Sequence, residues 1–170
     1  WSAAEPINFD HPTLFQAPVV RSNPSTNELN VTLKVAYEWQ EFTTFVEGLE
    51  ETKQLHIRGY NGGLVGPTLI AAPGDTLRIK LVNNLPPEEH PAPCDDSGHC
   101  DHNQPHNFNT TNLHTHGLHV DPTGNGDNVF IKLAAGESFD YEIKIPENHT
   151  AGTFWYHAHV HGATSVQTGS

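Results

Sequence analysis

The histidines of this chain occur in pairs, and their spacing points to metal chemistry. Thirteen of the 170 residues are His, which is more than a hydrophobic core needs. His114 and His116 alternate in the segment LHTHG, and His157 and His159 alternate in WYHAH. Alternate residues of a β-strand face the same side of the strand, roughly 6.6 Å apart. Each segment therefore predicts two imidazoles that project in parallel.

Two such pairs indicate a metal cluster. Parallel imidazoles on one strand are awkward ligands for a single ion, whereas two or more neighbouring ions suit their spacing. If the two segments lie side by side, four imidazoles converge without any thiolate or carboxylate. Pure imidazole ligation suits copper, zinc, iron or nickel and disfavours calcium or magnesium. The predicted metal ligands are His114, His116, His157 and His159.

Short β-strands are expected to position these pairs. Apolar and polar residues alternate with period two in several segments, which is typical of half-buried strands. The predicted strands are 29–40, 55–59, 76–81, 111–120, 139–145 and 153–160. Residues 41–53 fit either a helical turn or a long hairpin connection. Fourteen Gly and thirteen Pro favour tight turns over a helical bundle, so we expect a β-sandwich or barrel.

The composition excludes several classes of partner. Twenty acidic residues against eight basic ones give a net charge of −12. A nucleic acid or an anionic membrane would need a basic face, so neither is an expected partner. The sequence contains no run of eighteen apolar residues, so we expect no membrane span.

The two cysteines lie in a polar loop that is rich in His and Asp. Cys94 and Cys100 are close enough in sequence to close a small disulfide loop, which would imply an oxidising compartment. The alternative is a zinc or copper site built from both cysteines with His99 and His102, although this spacing matches no common zinc pattern. The disulfide is the preferred interpretation, and we expect a secreted or periplasmic protein.

The segments LHTHGLHV and GTFWYHAHVHG resemble the paired His motifs in the N-terminal cupredoxin domain of the multicopper oxidases, the laccase-like enzymes. The resemblance covers most of residues 27–167 and includes GPTLIAAPGDTLRIKLVNNL before the first motif. It implies an all-β, Greek-key β-sandwich of cupredoxin type. Residues 1–26 would form an extended N-terminal lead-in. Residues 27–170 would form the cupredoxin domain, lacking its last strand and the rest of a longer enzyme.

The resemblance also implies a role for each site residue. His114 matches a ligand of the type 2 copper, and His116, His157 and His159 match ligands of the type 3 copper pair. Together these ions form a trinuclear cluster that reduces dioxygen to water. Asp127 matches a catalytic acidic residue near that cluster, and a carboxylate placed there can relay protons while staying off the metal.

Half of this cluster is missing from the chain. The family's cluster needs eight imidazoles, so a further cupredoxin domain of the same enzyme or of another subunit would supply the others. Its type 1 copper needs a Cys thiolate with two His and often a weak axial Met, but no Cys here lies in such a context and Met is absent. The reducing substrate, such as a phenol or a metal ion, would therefore be oxidised elsewhere. We expect the isolated chain to be inactive.

Other functions remain open at this stage. A copper-binding module would use the same four His without turnover. A nitrite reductase would need the missing type 1 ligands, and a zinc hydrolase would need Asp121 or Asp127 as its general base. Exposed side chains are the simpler interpretation of His119 and His161. Trp155 and Tyr156 are expected to belong to the core.

Overall fold

The computed structural model describes residues 17–46, 49–63, 65–101 and 103–168. Strands dominate these ranges, as the alternation predicts. They are β1 (Val19–Arg21), β2 (Glu28–Val46), β3 (Leu49–Tyr60), β4 (Thr68–Ile70), β5 (Thr76–Asn83), β6 (His114–His116), β7 (Ser138–Lys144) and β8 (Trp155–His157), followed by the helix α1 (Thr164–Thr168). Within these ranges no helix is long and apolar enough to cross a membrane.

The largest sheet has four strands in the order β3-β2-β5-β7. β2 runs parallel to β5, while the other two neighbouring pairs are antiparallel. Because side chains alternate across a strand, the apolar residues of each strand collect on one face. The buried core on that face consists of Leu29, Leu33, Leu77, Ile79, Leu81, Tyr141 and Ile143, together with Leu113 and Leu133 from loops.

Two short strand pairs pack against the same core. β1 pairs with β4 in parallel, and β6 pairs with β8 in antiparallel. Val20 of β1, Leu69 of β4 and Tyr156 of β8 contact the core cluster. The core therefore lies between the large sheet and these pairs, which is the layered arrangement of a sandwich. β1 lies inside the expected lead-in of residues 1–26, of which 1–16 are outside the described ranges.

The uncertain segment 41–53 is a hairpin. β2 and β3 remain paired from Val35 with Tyr60 out to Val46 with Leu49. Only Glu28–Val35 of β2 also pairs with β5, so the outer part of the hairpin extends beyond the sheet as a two-stranded ribbon. Two of its described side chains, those of Trp39 and Leu49, are 66% and 72% exposed.

The predicted disulfide is present between Cys94 and Cys100. Both sulfur atoms are consumed by this bond, and a disulfide sulfur is not the thiolate that a zinc or copper site requires. The alternative metal site in this loop is therefore excluded as this chain is folded. Of the other residues considered for it, His99 is exposed, and His102 lies outside the described ranges.

Truncation of the central strand should destabilise the fold strongly. Leu81 of β5 is fully buried, so Leu81→Ala removes apolar contacts and leaves a cavity, which should lower the free energy of unfolding by about 2–5 kcal/mol. Leu55→Ala on β3 is the matched control, because Leu55 is 42% exposed, and it should cost well under that range. Urea unfolding followed by circular dichroism measures both, and equal losses would contradict this description of the core.

Candidate metal centre

The pairing of β6 with β8 brings the two His motifs together. His114 lies opposite His157, and His116 lies opposite Trp155. Cross-strand partners share one face of a sheet, so these four side chains occupy the same face. The intervening pair, Thr115 with Tyr156, occupies the other face, where Tyr156 packs on the core. Because successive residues of a strand face opposite sides, the imidazoles lie on one face of this pair and the apolar contacts on the other.

Three imidazoles of this face form a compact group. One ring nitrogen from each of His114, His116 and His157 lies within 4.8 Å of the others. Nε2 of His157 is 3.4 Å from Nδ1 of His116, a separation that suits two nitrogens bound to one ion at about 2 Å. The donor set contains neither thiolate nor carboxylate. This matches the ligand type that the sequence predicts.

His159 borders this group without belonging to it. Its ring centroid is 5.1 Å from that of His114 and 5.7 Å from that of His157. The backbone N–H of His159 donates to Oδ1 of Asn112 at 2.6 Å, which fixes the main chain at this position. The structure therefore brings all four predicted ligands together, with three in a tight group and the fourth at its edge.

Asp127 contacts the group from the loop between β6 and β7. Its carboxylate is buried, with Oδ1 and Oδ2 lying 3.1 and 3.0 Å from Nδ1 of His114. Oδ1 also accepts the backbone N–H of Thr115 at 2.8 Å. A carboxylate that accepts from Nδ1 keeps the proton of a neutral imidazole on that nitrogen, so the lone pair of Nε2 is free for a metal.

A tight turn holds Asp127 in this position. The backbone N–H of Asp127 donates to the carbonyl of Asp121 at 2.9 Å. Gly126 precedes it, and a Cβ added there would collide with the same carbonyl. Only glycine fits this close backbone approach. The sequence GNGDN thus serves to place one carboxylate.

The surroundings of His157 favour its neutral form. Its Nδ1 lies 2.8 Å from the carbonyl oxygen of Ala158, which leaves Nε2 directed toward the group. Burial lowers the pKa of His157, and the charges of His114, His159 and His116 lower it further, against the opposing effect of the Ala158 carbonyl. Since neutral imidazole is the form that binds metals, this environment favours ligation.

Comparisons with known proteins agree with this geometry. The sequence model of the family described as Multicopper oxidase matches residues 102–170. The chain is 36% identical to the Multicopper oxidase mco of Staphylococcus aureus over 64% of this chain and 19% of that protein. It is 30% identical to Laccase-1 of Thanatephorus cucumeris over 59% of this chain and 15% of that protein. These matches support a domain of the multicopper oxidase type.

The fold of the chain is also similar to that of solved multicopper oxidases. A bacterial laccase-like multicopper oxidase from Ochrobactrum sp. matches 88% of this chain and 26% of its own, with 26% identity and a TM-score of 0.55. The all-β sandwich of cupredoxin type that the resemblance implies is thereby confirmed. The chain spans about a fifth or less of the length of the two curated relatives.

Two buried residues that the sequence motifs do not indicate support the candidate site. Asn112 accepts from the backbone of His159 and donates from Nδ2 to the carbonyl of Val129 at 2.8 Å. The hydroxyl of Tyr141 accepts the backbone N–H of Leu113 at 3.0 Å, and burial raises the pKa of Tyr141 to about 12. Both act on the backbone beside a His pair. Their partners are far away in sequence, so no local pattern could identify them.

The structure confirms some of the remaining sequence predictions and contradicts one. His119 and His161 are exposed, as expected. Asp121 is exposed, its Oδ1 accepts from the backbone N–H and the hydroxyl of Thr123, and it is not a member of the compact His group. The prediction that Trp155 belongs to the core is wrong. Trp155 is 54% exposed, because it lies on the imidazole face of β8, whereas Tyr156 on the other face packs inward.

The lowered pKa of His157 predicts how the stability of the metal-free domain depends on pH. The unfolded state binds a proton at the ordinary value of 6.5, whereas the folded state resists it. The stabilisation is therefore complete above that value and is lost as pH falls through the folded pKa. Urea unfolding between about pH 5 and pH 8 should show this loss, and His157→Gln should reduce it. An unchanged pH profile in the variant would contradict the assignment.

Proposed function

We propose that this chain supplies half of the ligands of a trinuclear copper cluster in a laccase-like multicopper oxidase. His114 would bind the type 2 ion, and His116, His157 and His159 would bind the type 3 pair. The observation that carries the proposal is the convergence of ring nitrogens from both His motifs on one face of β6 and β8. The family of the domain supports copper as the metal.

The residues present fit copper. The group offers imidazole nitrogens alone, and imidazole is a ligand that copper binds well. Asp127 and the Ala158 carbonyl engage Nδ1 of His114 and His157, so Nε2 of each is the free donor. When bound, copper supplies one-electron redox chemistry, by which four electrons and four protons convert dioxygen to two molecules of water.

Asp127 would act on this chemistry through its carboxylate. It holds the proton of His114 at Nδ1 and is itself held by the Thr115 N–H. A buried carboxylate beside the cluster would also favour the arrival of protons, which the reduction of dioxygen consumes. Because its oxygens are occupied by the protein's own donors, Asp127 would remain off the metal.

The proposed enzyme extends beyond this chain. A further cupredoxin domain, of the same enzyme or of another subunit, would complete the ligand set, and a type 1 copper there would oxidise a small substrate such as a phenol or a metal ion. The disulfide between Cys94 and Cys100 supports a secreted or periplasmic location. We assign residues 27–170 to the cupredoxin domain and residues 1–26 to a lead-in, whose strand β1 packs against that domain.

A copper-binding module without turnover is the second candidate. The three imidazoles of His114, His116 and His157 suffice to hold one ion without any further domain. Oxygen uptake by the native assembly distinguishes the two functions, with a phenol or ferrous ion as the electron donor. Uptake that depends on His116 and His157 supports the oxidase, whereas copper binding with no uptake supports the module.

The ligand assignment predicts the copper content of single variants. His116→Ala and His157→Ala should each strongly reduce the copper bound by the chain, because each removes a donor from the compact group. His119→Ala is the matched control, since this exposed His lies outside the group. Native mass spectrometry after copper loading gives the metal content and the assembly mass in one spectrum. Full copper content in both site variants would refute the assignment.

The contact between Asp127 and His114 predicts a loss of copper affinity on substitution. Asp127→Asn removes the carboxylate that orients the imidazole, and changes of this kind weaken metal binding about 10–100-fold. Asp140→Asn, at an exposed carboxylate on β7, serves as the charge-matched control. Copper titration by calorimetry measures both, with urea unfolding as the check on the fold. Equal affinities in the two variants would show that Asp127 does not support the ligand.

A further inference from the structure

Trp155 stacks on two imidazoles of the candidate site. It lies opposite His116 on the neighbouring strand and two residues before His157 on its own. Its ring centroid is 4.9 Å from that of His116 and 4.2 Å from that of His157, with interplanar angles of 23° and 22°. Since Trp155 is 54% exposed, these contacts are directed at the site rather than at the core.

We propose that Trp155 is a positioning residue that holds the rings of His116 and His157 so that their nitrogens converge. This inference rests on the proposed function of the site. The lone pair of an imidazole nitrogen lies in the ring plane, so an indole stacked on the ring face restrains the ring without blocking its nitrogens. The 3.4 Å separation between Nε2 of His157 and Nδ1 of His116 is compatible with this arrangement.

His116 has particular need of such a restraint. Its side chain is exposed, and an exposed side chain on a strand samples several rotamers. Ordering it at the moment of metal binding would cost conformational entropy. A ring already held against Trp155 has lost that freedom in the metal-free state. Metal binding then costs less conformational entropy, which raises the affinity.

The stack also joins the two strands. His116 belongs to β6 and His157 to β8, and Trp155 stacks on both rings. Each aromatic contact is energetically modest, but losing both is expected to change an equilibrium by about tenfold or more. Trp155 would therefore set the relative orientation of ligands from different motifs, a role separate from donating to the metal.

Cupric ion titration of the 170-residue chain tests this inference, with Trp155→Leu and Trp155→Phe as the variants. Leucine keeps an apolar side chain but cannot stack, so copper affinity should fall about tenfold. Phenylalanine keeps an aromatic face and should restore most of it. Trp39→Leu is the matched control, because Trp39 is also exposed and stacked on a histidine, His56, but lies on the hairpin. It should leave copper affinity unchanged.

Proton NMR of the metal-free chain gives a second measurement that a general loss of stability would not imitate. Protons of His116 and His157 that lie over the indole face are shielded, so their signals should move downfield in Trp155→Leu and stay in place in Trp39→Leu. Unchanged signals in Trp155→Leu would overturn the inference.

The copper affinities distinguish failure of the proposed function from failure of the role proposed for Trp155. A wild-type chain that binds no more copper than His157→Ala overturns the proposed function and this inference with it. A wild-type chain that binds copper with the same affinity as Trp155→Leu overturns only the role of Trp155. A loss in Trp39→Leu equal to that in Trp155→Leu also overturns it, since the effect would not be specific to the site.

Discussion

The site depends on the register between β6 and β8. With His114 opposite His157 and His116 opposite Trp155, every imidazole of the compact group lies on one face. Because the side-chain period of a strand is two, a slip of one residue would turn one strand's His toward the core and its apolar partners toward solvent. The hydrophobic core therefore determines which face carries the imidazoles, since packing of Tyr156 and Leu113 against the core favours this register.

Such short strands need support from outside their own ladder. β6 and β8 have three residues each, so most backbone groups beside the His pairs have no ladder partner. Side chains satisfy several of them: Asp127 accepts from Thr115, Tyr141 from Leu113, and Asn112 from His159. All three are buried, where an unpaired backbone donor would be costly. Hydrogen bonds to Asn112, Asp127 and Tyr141 thus hold the backbone of the two His motifs in place.

The sequence predicts the parts of this arrangement that are periodic or local. Alternation in β5 and β7 and the two His pairs follow from spacing alone, and the disulfide follows from two nearby cysteines. The strands predicted for 111–120 and 153–160 are far longer than β6 and β8, because side-chain hydrogen bonds replace the ladder on either side of the His pairs. The exposure of Trp155 does not follow from its sequence context, because an aromatic residue in a strand usually belongs to the core, whereas this one stacks on imidazoles.

The same geometry disfavours the protonated form of His157 in the metal-free chain. Imidazoles that lie this close repel one another when protonated, and this repulsion adds to burial in lowering the pKa of His157. The neutral form of His157 that results is the form a metal requires, and Asp127 places a negative charge beside His114. The net charge of −12 adds a field that attracts cations. Protons and a metal would therefore compete for Nε2 of His157, where burial disfavours the proton.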